Sequence, residues 1–376
     1  MQKTITLLCA LFVLLASCIQ NELPNAEADI VECRIRNMPD SVRSVLNEIT
    51  TENSAVNIWV RRGANIGKVA LEFDLSFGAT ISPKDTIPRN FADSAYTYIV
   101  TSQDGKWKKT YTVAILSYAL TQTSFDFEHY EKAKAANFHQ FYEQTDEGKQ
   151  HIWSSGNRGF AIVNSGVAAE NYPTSSYANG KSGRGVKLTT VSTGSMGSSV
   201  GMPIAAGNLF IGSFDVSKSL TAPLETTQFG FQSKIGEPDS LTFWYKYQRG
   251  AEYKDKNGSV LSRSDNPDVY AVLYEPSTKA DGTVERLNGT NITTAENVVS
   301  IAQLNSANIF YSNNIETEAY RQMSIPFVAK KEVDAEKLRN GSYFLTIVFA
   351  SSAKGDLFEG AVGSTLCIDE VRIICK

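Results

Sequence analysis

YFLTIVFASS at 343–352, KGDLFEGAVGS at 354–364 and TLCIDEVRII at 365–374 decide how the whole chain reads. The first and last segments have the apolar spacing of strands that bury a face, and the middle one has the glycines of a connection. On this reading the chain runs out in one strand and returns in another. Upstream, similar period-2 runs recur, closed by Gly, Ser, Asn and Asp, with almost no helical spacing between them. The expectation is an all-β, antiparallel protein.

The order Ser351-Ser352, Gly355-Asp356, Phe358, Gly360, Gly363-Ser364, Leu366 and Ile368-Asp369 resembles the C-terminal motif of the putative carbohydrate metabolism domain family, found on lipoproteins of Bacteroidetes. The resemblance implies a jelly-roll β-sandwich of the galactose-binding or carbohydrate-binding-module kind, and a carbohydrate ligand. It also implies a place among other glycan-uptake proteins. It names a substrate class and no reaction.

The 376 residues exceed one ordinary core, so two domains are expected. With 42% hydrophobic and 20% charged residues the composition is globular. Lys3 is the one charged residue among the first seventeen, so the remainder carries 35 basic against 40 acidic residues. That mild acidity argues against nucleic acid as a partner.

At the N-terminus Lys3 precedes an apolar run from Ile5 to Leu15 and then Leu15-Ala16-Ser17-Cys18. So short a run is a signal-peptide core rather than a membrane span. The four residues resemble a bacterial lipobox, whose cysteine carries lipid, so the expectation is an outer-membrane protein anchored through Cys18. Acyl chains then hold it, each buried CH₂ contributing about 0.8 kcal/mol. Ile19-Gln20-Asn21-Glu22 bears a faint likeness to surface-export tags and does not choose between the periplasmic and cell-surface faces. Of the other cysteines, Cys33, Cys367 and Cys375 read as small hydrophobes; the last two would stand roughly 26 Å apart on one strand, beyond disulfide reach.

The organisation follows: a signal peptide at 1–17, a tether at 18–29, a small β domain at 30–118 and a larger one at 121–376. In the first, FGATISP followed by AYTYIVTSQDGKWKKTYTV resembles the immunoglobulin-like modules that stand between lipid and glycan-handling domain. Trp107 and Tyr111 there read as packing residues before ligand contacts. In the second, YEKAKAANFHQFYEQ reads as a short helical or irregular piece, and Ser154–Ser199 as a long loop region holding the strands FAIVN and GVKLTTV.

Candidate ligand residues come from strand faces. In SLTFWYKYQ, Leu241, Phe243, Tyr245 and Tyr247 share one face while Thr242, Trp244 and Lys246 share the other. A half-exposed Trp244 beside Lys246 suits sugar stacking, although a covering loop accounts for the tryptophan equally well. Tyr270 and Tyr274 share a face with Asp268 and fit a neighbouring strand of the same groove. Trp153 and Arg158 form a second candidate pair, with a salt bridge as the plainer role for Arg158. Asp369 sits on an apolar strand face, where a carboxylate needs a cation or donors. The jelly-roll resemblance implies a structural Ca²⁺ where first and last strands meet, held by Glu128 and Asp369; backbone N–H donors are the alternative.

Other signals fail. Gly180-Lys181-Ser182 lacks the earlier glycine of a phosphate loop, and His129, His139 and His151 lack zinc spacing. Hydrolysis of a glycoside needs two carboxylates at a set separation, and spacing picks no pair among 40 acidic residues. The reading is therefore a carbohydrate-binding protein with no catalytic cofactor; a glycoside hydrolase comes second, and a structural or adhesive surface protein third. Cys18→Ala should move the protein from the membrane to the soluble fraction after lysis. Unchanged membrane association would end the lipoprotein reading.

Overall fold

The computed structural model describes residues 24–36, 46–50, 54–60, 66–84, 87–91, 95–116, 119–133, 137–145, 148–164, 166–278, 284–304 and 315–376. Residues 1–17, expected as a signal peptide, and Cys18 lie outside the described residues. Strands dominate what is described, in several sheets with few helices.

In the N-terminal part, Ile30–Ile35 pairs antiparallel with Leu71–Leu75. A five-stranded sheet runs in the order Leu46–Thr50, Ala55–Trp59, Lys108–Leu116, Tyr96–Thr101, Thr80–Ser82, its second and third strands parallel. Alternate residues from both sheets, among them Cys33, Leu71, Val56, Ile58, Tyr98 and Val113, form one buried core. Tyr111 is buried there and donates to Asp29 Oδ1 at 2.8 Å, whereas Trp107 is 62% exposed.

The larger β-sandwich has two main sheets. One, of six strands, runs Thr174–Tyr177, Gly185–Thr189, Thr365–Cys375, Pro238–Gln248, Thr317–Pro326, with Ser124–Phe125 pairing beside the end of Thr365–Cys375. The other, of eight, is built on Trp153–Ser154, Asn208–Phe214, Phe344–Ala350, Asp268–Tyr274, Val298–Gln303 and Val328–Ala329. Leu241, Phe243, Tyr245, Tyr247, Ile368 and Val371 from the first meet Leu209, Ile211, Val269, Ala271, Ile347 and Phe349 from the second in the main core. Such burial, at about 25 cal/mol per Å² of apolar surface, drives the packing.

The segments that open the sequence reading are not a hairpin: Phe344–Ala350 lies in the eight-stranded sheet and Thr365–Cys375 in the six-stranded one. The glycine-rich stretch between them is a crossover from sheet to sheet. Two further expectations change. Within YEKAKAANFHQFYEQ the described residues form strands, Tyr130–Lys132 paired to His139–Phe141, which buries Phe138 against Tyr172 and Phe141 against Phe127. FAIVN falls in and just beyond the helix Asn157–Val163, which packs Phe160 against Tyr172.

Trp153 is 1% exposed, edge-on to Phe125 and close to Phe127 in the main core. Its Nε1–H donates to Glu143 Oε1 at 2.7 Å. Burial pushes Glu143 up to about 7 from an ordinary 4.5, against the lowering effect of the indole donor. A carboxyl with its folded pKa raised stabilises the fold while protonated and loses that contribution as pH rises from about 4.5 through about 7. Relative to Glu143→Gln, the wild type should therefore lose up to about 3 kcal/mol between pH 5 and 7.5, read from urea titrations at both ends. Parallel pH profiles for the two proteins would refute this.

Candidate functional site

Two surfaces of the sandwich concentrate functional chemistry, one on the outer face of each main sheet. On the six-stranded sheet, burial along Pro238–Gln248 alternates as read from the sequence, leaving Thr242, Trp244 and Lys246 outside the core. Across the ladder Trp244 stands opposite Asp369, and Lys246 opposite Cys367, which in turn faces Lys187. Trp244 does not offer a bare ring: the 178–184 loop folds over it and sets Lys181 Nζ 4.4 Å from the ring centroid. Lys246 Nζ sits between Tyr320 and Tyr177, at 4.6 and 5.1 Å from their centroids.

Glu128 and Asp369 hold that same loop. Asp369 Oδ2 accepts from Ser182 N at 2.9 Å, and Glu128 Oε1 accepts from Arg184 N at 2.8 Å. Gly183 between them has φ +57, and a Cβ there would stand 2.0 Å from Glu128 Oε1. Burial pushes Asp369 up to about 6, while the backbone donors of Ser182, Glu370 and Lys181 pull it down. A cation at these oxygens would face the same partial positive charges, and Ca²⁺ asks for six to eight oxygens. Among the described residues no group of three or more His, Cys, Asp or Glu gathers to hold a metal. The pair does not fit the calcium expectation and instead clamps a loop.

Tyr270 lies on the opposite side of the molecule from Trp244, so the two share no groove. Its strand belongs to the eight-stranded sheet, and its side faces outward with Phe210, Val272 and Tyr274. Tyr274 is buried and donates to Phe229 O. Trp153 is in the core, as described, because its large ring fills space between the sheets. Arg158, half-buried on the helix Asn157–Val163, borders one small depression together with Trp153, Phe138, His139 and Phe214, so the two residues read as a pair do meet there.

Tyr270 does line a cavity of about 230 Å³. The outward residues Phe210, Asp268, Tyr270 and Val348 make its floor, and Phe160, Leu220, Phe229 and Phe358 contribute to its walls. Asp268 and Asp356 both line it, and neither is in an ion pair among the described residues. Burial first, and then the charge of Asp356, pushes Asp268 up to about 7. Burial likewise raises Asp356, and the two carboxylates add to the burial that raises the Tyr270 hydroxyl. The charge of Asp356 thus helps to keep Asp268 protonated inside an aromatic-lined cavity. Periodicity puts Asp268 on the face of Tyr270; only the sheet crossover brings Asp356 to it.

The family model described as putative carbohydrate metabolism domain matches residues 126–374. The chain belongs to that family. A second model, described as SGBP, N-terminal, matches residues 40–115. Among solved structures, a putative glycoside hydrolase from Bacteroides thetaiotaomicron VPI-5482 is 40% identical over 95% of this chain and 99% of its own, with a TM-score of 0.79. A putative glycoside hydrolase from Bacteroides vulgatus ATCC 8482 is 37% identical over 69% of this chain and 100% of its own, with a TM-score of 0.61. No curated protein matches the sequence.

The clamp predicts that EDTA leaves the melting temperature unchanged. Asp369→Asn sets an amide against the Ser182 N–H and should cost about 1–3 kcal/mol. A melting temperature lowered by EDTA would return calcium to Glu128 and Asp369.

Proposed function

We propose that this chain is a lipid-anchored outer-membrane protein that binds a carbohydrate in the cavity on the eight-stranded sheet. The supporting observation is the cavity itself: aromatic walls for the C–H faces of a sugar ring, and, for its hydroxyls, two carboxylates that have no ion-pair partner among the described residues. Leu15-Ala16-Ser17-Cys18 supports the anchor, and family membership supports the ligand class. The volume, about 230 Å³, lies below the roughly 300–1,000 Å³ of typical small-ligand pockets and suits the end or a short segment of a glycan.

Cleavage is the second reading, favoured by the Asp268–Asp356 pair. A carboxyl held near 7 keeps its proton at mildly acidic pH and so serves as general acid to a leaving glycosidic oxygen. The partner carboxylate then activates water or attacks the sugar. Calorimetric titration and reducing-sugar release on one polysaccharide panel, with wild type, Asp268→Asn and Asp356→Asn, separate the readings. A hydrolase would release sugar with a rate that falls as pH rises through about 7, and Asp268→Asn would lower it by about 10²–10⁴-fold while binding persists. Binding without release in the wild type would leave a binding protein. Neither binding nor release across the panel would overturn both readings.

A further inference from the structure

The outer face of the six-stranded sheet carries charge that the rest of the fold does not answer. Lys181, Lys187 and Lys246 form no ion pair among the described residues, in a protein whose formal net charge is −4. Asp369 is fully buried under the 178–184 loop and Glu370 pairs with Arg372 at 3.1 Å, while Glu318, two residues before Tyr320 on the edge strand, is exposed. What stands next to the ammonium groups is aromatic. Lys246 lies between the half-buried rings of Tyr177 and Tyr320, and Lys181 over Trp244. Tyr320 donates to Asn179 O, so the loop is tied to the sheet at 3.3 Å.

Cations held against rings keep a weak, adaptable interaction that leaves their N–H donors available to an anion. The rings meanwhile supply flat apolar surface for a pyranose. We infer that this face is a second carbohydrate site, distinct from the cavity, selective for an anionic sugar that carries a carboxylate or a sulfate ester. Lys246 and Lys187, flanking Cys367 on either side of one ladder row, take the anionic group, while the Tyr177 and Tyr320 rings bear on the sugar. Lys181 closes over the bound residue from the loop. The inference rests on the reading that this domain handles glycans, though not on the cavity being occupied.

Electrophoresis of the purified protein through gels containing polygalacturonate, dextran sulfate or uncharged dextran tests it. Retardation is expected in one or both anionic gels and not in dextran; which anionic polymer retards tells carboxylate from sulfate. Lys246→Gln should weaken the apparent affinity about tenfold, as for one lost charge-assisted contact. Lys181→Gln, in the exposed loop, serves the same purpose if the first variant does not fold, and denaturant midpoints for both establish that they do. Lys256→Gln removes the same charge from a different loop and should leave retardation intact. Asp268→Asn should also leave it intact, which separates this site from the cavity. Equal retardation by dextran, equal weakening by Lys256→Gln, or no retardation in either anionic gel would overturn the inference.

Discussion

A single buried carboxylate organises the passage of the chain from one sheet to the other. Asp265 is 2% exposed, and its Oδ2 accepts from Ser352 Oγ at 2.5 Å, Ala361 N at 2.8 Å and Ser364 Oγ at 2.8 Å. Those residues bracket the whole crossover from Ser351 to Ser364. Burial raises its pKa and the hydrogen bonds pull the other way; an ion so placed is tolerated only because its donors are already arranged. Thr190 Oγ1 joins Ser351 and Ser352 from the six-stranded sheet, and Tyr247 donates to Ser351 O. The crossover is thereby fastened to both layers, and Asp356 and Phe358 on it are delivered to the cavity wall.

That arrangement explains why the Ser, Gly and Asp positions of the C-terminal stretch are so distinctive. The serines supply hydroxyl donors, and Gly355 admits the methyl of Ala206, where any added Cβ would stand 2.2 Å from that alanine's Cβ. Such requirements are local and strict, so they show in the residue types themselves. The alternation of Pro238–Gln248 was equally legible, because a strand with one face in the core must repeat with period 2.

Other features were hidden for physical reasons. Which strands pair is a long-range property, and nothing in YFLTIVFASS says that its neighbour in sequence joins a different sheet. FAIVN has the composition of a strand, yet tertiary packing of Phe160 on Tyr172 overrides that preference with a helical turn. Tyr270 and Trp244 look alike as outward aromatics on strands; the layer each belongs to separates them. The cavity draws its walls from several regions far apart in the chain, so its carboxylate pair has no sequence spacing to detect.

The two outer faces point away from each other across a sandwich whose layers pack about 10 Å apart. One short oligosaccharide therefore cannot touch both. A long polymer would reach from one proposed site to the other only by turning around an edge of the domain, and two separate polymers bound there would not compete. On the proposed reading the fold is divalent: it would gain from chain length through effective concentration rather than through any deeper pocket, and would bridge strands of a glycan network.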